Sequence, residues 1–174
     1  VSSNSVKARR DLLHAMVTSE NQPVLGIEGF PAERGLYETL LRSTGLHRQD
    51  ADGVWRLAPP FPSRESEPNG LLRLWEATRA LFDGPTARVG ADAILARWGA
   101  PPFGMKLGIQ PVLLTAFILA HKANVAVYKD GIFVPRLTDF DVDELLQDPT
   151  RFSLRWVTVD EDKTRILQGI STLH

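Results

Sequence analysis

Val125-Ala126-Val127-Tyr128-Lys129-Asp130-Gly131-Ile132-Phe133-Val134 decides the fold, because it reads as two β-favouring runs joined by an Asp-Gly turn. Asp-Gly between apolar runs is a strong local hairpin signal, since a tight hairpin turn needs positive φ at both central residues. Directly upstream, Gln110 to His121 is an apolar run long enough for about three helical turns. The same order occurs earlier in the chain. A helix from Glu33 passes through Leu40 and Leu41 to Leu46-His47-Arg48, turns at Asp50-Ala51-Asp52-Gly53 and returns as Val54-Trp55-Arg56-Leu57. A helix feeding a hairpin is the skeleton of a winged-helix module. The expectation is therefore an α+β, helix-rich chain of two tandem winged-helix-like units, each with a small antiparallel β-hairpin.

Working outward, Val6 to Ser19 has apolar Leu12, Leu13, Met16 and Val17 at helical spacing, with Ser5 placed as an N-cap. Pro23-Val24-Leu25-Gly26-Ile27 is short, β-favouring and bounded by glycine, which predicts a strand. Pro31 suits a first helical turn, Glu33 suits its positive dipole end, and Gly45 suits the position after its last turn. Ala58 to Gly70 holds Pro59, Pro60, Pro62 and Pro68, too dense for a helix or inner strand, so residues 61–70 read as a linker. It divides a first unit, residues 1–60, from a second, residues 71–159.

In the second unit, Leu71 to Phe82 forms an amphipathic helix, Thr86 to Val89 a short strand, and Ala91 to Trp98 a further helix. Thr138 caps a helix over Asp139 to Gln147, and Phe152 to Val157 alternates as a strand does. That last strand reads as an appendage to the winged-helix order. Residues 160–174 are expected to form a C-terminal helix and tail.

A chain of 174 residues suits one domain or two small ones, and its 43% hydrophobic content is enough for a core. The net charge of −1 is spread evenly: seven basic and seven acidic residues lie before residue 60, thirteen and fourteen after it. Nucleic-acid binders usually carry a basic excess somewhere, so the global balance argues against that class without excluding a local patch. The absence of cysteine excludes disulfides, thiol nucleophiles and Cys-ligated zinc, and fits a reducing cytoplasm. No signal peptide is legible at Val1-Ser2-Ser3-Asn4-Ser5. The longest apolar stretch, Pro111 to Ala120, is about half the length a membrane span needs, so no membrane partner is expected. A first residue of Val suggests a piece of something larger.

The stretch Pro23-Val24-Leu25-Gly26-Ile27-Glu28-Gly29-Phe30-Pro31-Ala32-Glu33-Arg34-Gly35-Leu36-Tyr37 has distinctive wording. So do Ala100-Pro101-Pro102-Phe103-Gly104-Met105-Lys106 with the apolar helix, the wing Tyr128–Pro135, and Asp148-Pro149-Thr150-Arg151-Phe152. Together they resemble an internal region of large, multidomain bacterial ATP-binding proteins of the phage-defence ATPase kind. The likeness covers most of residues 23–157. It implies a P-loop module elsewhere in the parent polypeptide. This chain holds no Gly-x-x-x-x-Gly-Lys-Ser/Thr, so no nucleotide site is carried over and no cofactor is expected.

Other constellations read more plainly. Asp139, Asp141, Asp143 and Glu144 invite a metal assignment, but Leu145-Leu146 follows where a calcium loop needs glycine and a distal glutamate. Thr138 to Asp141 instead fits helix capping, and no metal ligand is assigned. The histidines His14, His47, His121 and His174 form no His-x-x-x-His pair. His121 is read as a cationic ring at a helix C-terminus. No Gly-x-Ser-x-Gly elbow is present, and Glu28 between Gly26 and Gly29 lacks a partner, so no catalytic residue is assigned. The helix before the second wing is apolar all round, which predicts burial rather than groove reading. Candidate contacts to nucleic acid or a partner are Arg97, Lys106, Lys122, Lys129 and Arg136. Trp55 and Phe133 occupy matching places after their turns and are expected to pack on their own helices.

The functional expectation is a non-enzymatic interaction or scaffold module of a larger bacterial P-loop ATPase. It would position that ATPase against a partner subunit or nucleic acid. The alternatives are direct DNA or RNA binding through the wings, and a small hydrolase built around Glu28.

Overall fold

The computed structural model describes residues 3–61, 70–84 and 88–158. Most of the linker stretch, the start of the strand expected at Thr86, the C-terminal helix expected after residue 159, and His174 lie outside them. The architecture is α+β and helix-rich, with one two-stranded and one four-stranded antiparallel sheet among the described residues.

Helix α1 spans Ser3–Thr18, so Ser5 lies inside its first turns and is not its cap. Leu12, Leu13 and Met16 are fully buried, as their spacing predicted. The strand expected at Pro23–Ile27 is instead a 3₁₀ turn over Pro23–Gly26, with Leu25 N–H bonding Gln22 O and Ile27 N–H bonding Val24 O. Val24 and Leu25 both adopt left-handed φ, near 53° and 54°, a conformation costly for L-residues. The turn drives Leu25 into the core at 1% exposure, which offsets that cost.

Helix α2, Ala32–Tyr37, starts after Pro31 and continues as a wider turn over Glu38–Arg42, where Ser43 N–H reaches back to Glu38 O. Strands β1, His47–Gln49, and β2, Trp55–Leu57, pair with His47 opposite Leu57. The Asp50 carboxylate shapes their turn by accepting from Asp52 N–H and Val54 N–H.

Helix α3 spans Leu71–Ala80, strand β3 Arg88–Gly90 and helix α4 Ala91–Gly99. Helix α5, Gln110–Ala120, is the axis of the molecule. Residues 112–118 are all buried, and α1, α4, α6 and β2 pack against it. A helix apolar on every face has no stable place except an interior, so the sequence pattern and the packing agree. One hydrophobic core results, and it includes Leu12, Leu57, Phe117 and Leu154 from both sides of the Pro-rich stretch.

Strands β4, Val125–Lys129, and β5, Ile132–Val134, form the second hairpin, with Asp130 and Gly131 both at positive φ. Helix α6, Asp139–Gln147, opens on a complete capping box between Thr138 and Asp141. Strand β6, Phe152–Trp156, is no appendage. The sheet order is β3-β6-β4-β5, so β6 sits inside the sheet between β3 and the hairpin. Its buried Phe152 and Leu154 make it a core strand. Among the described residues, no helix is long and apolar enough to cross a membrane.

Candidate functional site

The five basic candidates do not converge on one patch. Lys129 bends onto α6, with its Nζ 3.0 Å from Asp141 Oδ1 and 3.3 Å from Glu144 Oε2. Those carboxylates hold its ammonium above the ordinary lysine value. Lys122 pairs with Glu20 at 2.8 Å. The Glu20 carboxylate is nearly buried, and its second oxygen accepts from Leu57 N–H, tying α1's end to β2. Arg97 lies over the Phe103 ring at 5.2 Å and donates to Pro101 O. Lys106 and Arg136 are exposed. Of the two hairpin charges that a duplex-tracking contact would use, Lys129 is paired with α6 and Arg136 is exposed.

Lys122 and Arg136 share a groove of about 570 Å³ between the end of α1 and the β4–β5 edge. Val125, Val127, Val134 and Leu137 line it with Glu20. It offers an apolar floor with one internal ion pair and no nucleophile–base arrangement. Glu28 is exposed, so the enclosed polar pocket that a hydrolase reading requires does not surround it.

Asp141, Asp143 and Glu144 of the acidic run each lie against basic side chains of the fold. Burial alone would raise the Asp141 carboxyl, but the Thr138 backbone N–H and the Lys129 ammonium outweigh it and hold it below the usual range. Asp143 likewise is lowered against its desolvation by Arg10 and His14, which lie 3.0 and 2.7 Å away. Glu144 faces Lys129 and Arg151. Capping accounts for the Thr138–Asp141 contacts, and Asp143 and Glu144 pair with basic side chains of α1, β4 and Arg151.

His47 and His121 are structural, the second in a way the sequence misreads. His47, 2% exposed, lies between Tyr37 Oη and the Glu20 carbonyl, each 2.8 Å from a ring nitrogen. His121 is not a cationic cap. Its Nε2 accepts from Trp75 Nε1–H at 2.9 Å, among the rings of Phe117 and Trp156. Burial, reinforced by Arg79, pushes it below the ordinary histidine value.

Neither aromatic shows the expected packing on its own helix: Trp55 stacks at 5.2 Å on His47, a residue of strand β1, and Phe133 faces outward. It is 55% exposed and meets Tyr128 at 5.9 Å on the sheet face turned away from the core. Arg88 and Arg155 stand on that same face, and the sequence reading missed both, as it did Tyr128. Alternation along β4 and β6 puts Tyr128, Ser153 and Arg155 on the side opposite Val127 and Leu154. Only the strand order then reveals them as neighbours. No family model, no curated protein and no solved structure matches this chain.

Proposed function

We propose that this chain is a non-catalytic, winged-helix-like interaction module of a larger bacterial P-loop ATPase, working in the cytoplasm to hold that ATPase against a protein partner or nucleic acid. The observation that carries the reading is the burial of residues 112–118 of α5. The strongest apolar feature of the chain is spent on shape, and the outward surface is left to make contacts. Edge strand β5 adds to this, since Ile132 is 73% exposed beside a strand edge that is unpaired among the described residues, the kind of feature that another chain can cover. The ATPase context rests on the resemblance of residues 23–157 described above. The test is titration of the purified chain with Mg-ATP, followed calorimetrically and by phosphate release. Neither heat of binding nor hydrolysis is expected; tight binding or turnover would overturn the proposal.

A further inference from the structure

We propose that the outer face of the four-stranded sheet binds single-stranded nucleic acid, with bases stacked on Tyr128 and Phe133 and phosphates held by Arg88 and Arg155. The proposal names one partner for the positioning role above, but it rests on this face alone and not on the ATPase context.

The register places the residues. Across the sheet, Arg88 lies opposite Arg155, which lies opposite Ala126. In the adjacent row, Gly90 lies opposite Ser153, then Tyr128, then Phe133. Small residues therefore flank Tyr128 on the strand side, leaving a shallow platform. The Arg88 guanidinium lies 3.9 Å from the Tyr128 ring centre, and Phe133 is on the tyrosine's other flank. Arg88 covers one face of Tyr128, and the Phe133 ring is tilted by 56° to it, so the exposed ring surfaces and the guanidinium plane are the stacking faces on offer. Every nucleobase has a π-face, so these faces accept bases with little regard to sequence. An antiparallel four-stranded sheet, helices behind and aromatics in front, is a known way of taking up unstacked single strands.

Charge points to the same ligand. Like charges directly opposite each other on neighbouring strands destabilise a sheet. Asp130 N–H donates to Arg151 O and Val157 N–H donates to Asn124 O, so odd-numbered β6 residues bond toward β4. Arg88 and Arg155 are therefore a close, non-hydrogen-bonded pair, the kind with Cα atoms about 4.5 Å apart. Neither makes an ion pair among the described residues, in a chain whose other basic side chains are frequently paired. One carboxylate, Asp92, reaches this face beside Gly90, so two guanidiniums face one acid. A phosphate between Arg88 and Arg155 would relieve their repulsion. Duplex DNA hides the π-faces that Tyr128 and Phe133 would use, so the single strand is the favoured form.

The experiment is fluorescence anisotropy with labelled oligothymidylate of about 15 nucleotides, set against a duplex of the same length. The single strand should bind at least about tenfold more tightly at low salt. Tyr128→Ala and Phe133→Ala should each weaken binding by roughly 5- to 150-fold, the range of one lost base–aromatic stack, while Tyr128→Phe keeps it. Arg88→Gln with Arg155→Gln should lower the slope of log affinity against log salt by about 1.4, for two phosphate contacts on a single strand. Arg136→Glu should leave the single-strand preference and the stacking losses in place. Thermal melting of each variant separates lost binding from lost folding. No binding of the single strand by the intact chain, equal affinity for duplex, or insensitivity to both aromatic substitutions would overturn the proposal. Loss through Arg136→Glu alone would move the site to the hairpin wing. Displacement of the oligonucleotide by poly-glutamate at matched charge would mark the face as a dock for acidic protein instead.

Discussion

Trp75 donates its indole N–H to His121 Nε2 across 2.9 Å, and that bond requires an unprotonated ring nitrogen. His47 is held in a comparable state, with burial pushing it below its ordinary value of 6.5. For both residues the folded chain binds a proton less readily than the unfolded chain does. Stability is then complete above the unfolded value and falls as pH drops from about 6.5 toward the lower folded values.

Urea midpoints should accordingly fall between about pH 7.5 and 5.5, and His47→Asn with His121→Asn should flatten that fall even though it lowers the midpoint at neutral pH. A wild-type midpoint that does not move over this range contradicts the assignment. So does an unchanged slope in the double variant.

Trp98 and Thr78, each 1% exposed, share a 2.7 Å bond from the indole N–H to the threonine hydroxyl, which in turn donates to Leu74 O. Thr78→Val keeps the shape and strands a buried donor, so it should cost about 1–3 kcal/mol. In a Trp98→Phe background the same change should cost much less, because no donor is left. A double-mutant cycle by urea denaturation reads the difference, and equal costs in both backgrounds would rule out this bond as the cause.

Asp141 serves two elements at once, closing the capping box of α6 and receiving Lys129 from the β4–β5 hairpin. Asp141→Ala should lower stability by about 1–2 kcal/mol, the cost of a lost cap. Asp141→Asn, which keeps an acceptor for the Thr138 N–H, should cost less. If both variants match the wild type in chemical denaturation, the cap contributes nothing.

Core and edge should respond in opposite ways. Phe117 is fully buried in α5, and Phe117→Ala should cost about 3–5 kcal/mol. Ile132, at 73% exposure, should tolerate alanine within about 0.5 kcal/mol. Calorimetric melting of the two variants would contradict the description if their order were reversed.

The elements most legible in the sequence were those whose signal is local. The Asp130-Gly131 hairpin needs only turn chemistry, the Thr138–Asp141 cap needs only spacing, and α5 declares its burial by having no polar face. Pro23–Gly26 was misread because β-favouring side chains there answer to a tertiary demand, the insertion of Leu25, which overrides propensity. The place of β6 was hidden for a different reason. Alternation identifies a strand and its two faces, but partner choice depends on distant strands, so Arg155 could not be set opposite Arg88 from the sequence. The same limit concealed the candidate sheet face, whose members come from β3, β4, β5 and β6. His121 was misassigned because position at a helix end suggests charge, whereas Trp75, Phe117 and Trp156 around it favour the neutral ring.

Helix α5 lies at the centre of the body, and contacts at the surface fall to other elements. Amide hydrogen exchange of the intact chain measures this directly. The amides of Leu114 to Ile118 should be among the slowest to exchange, opening only with global unfolding. Exchange there as fast as in the exposed first turns of α1 would place the helix at the surface and contradict the account.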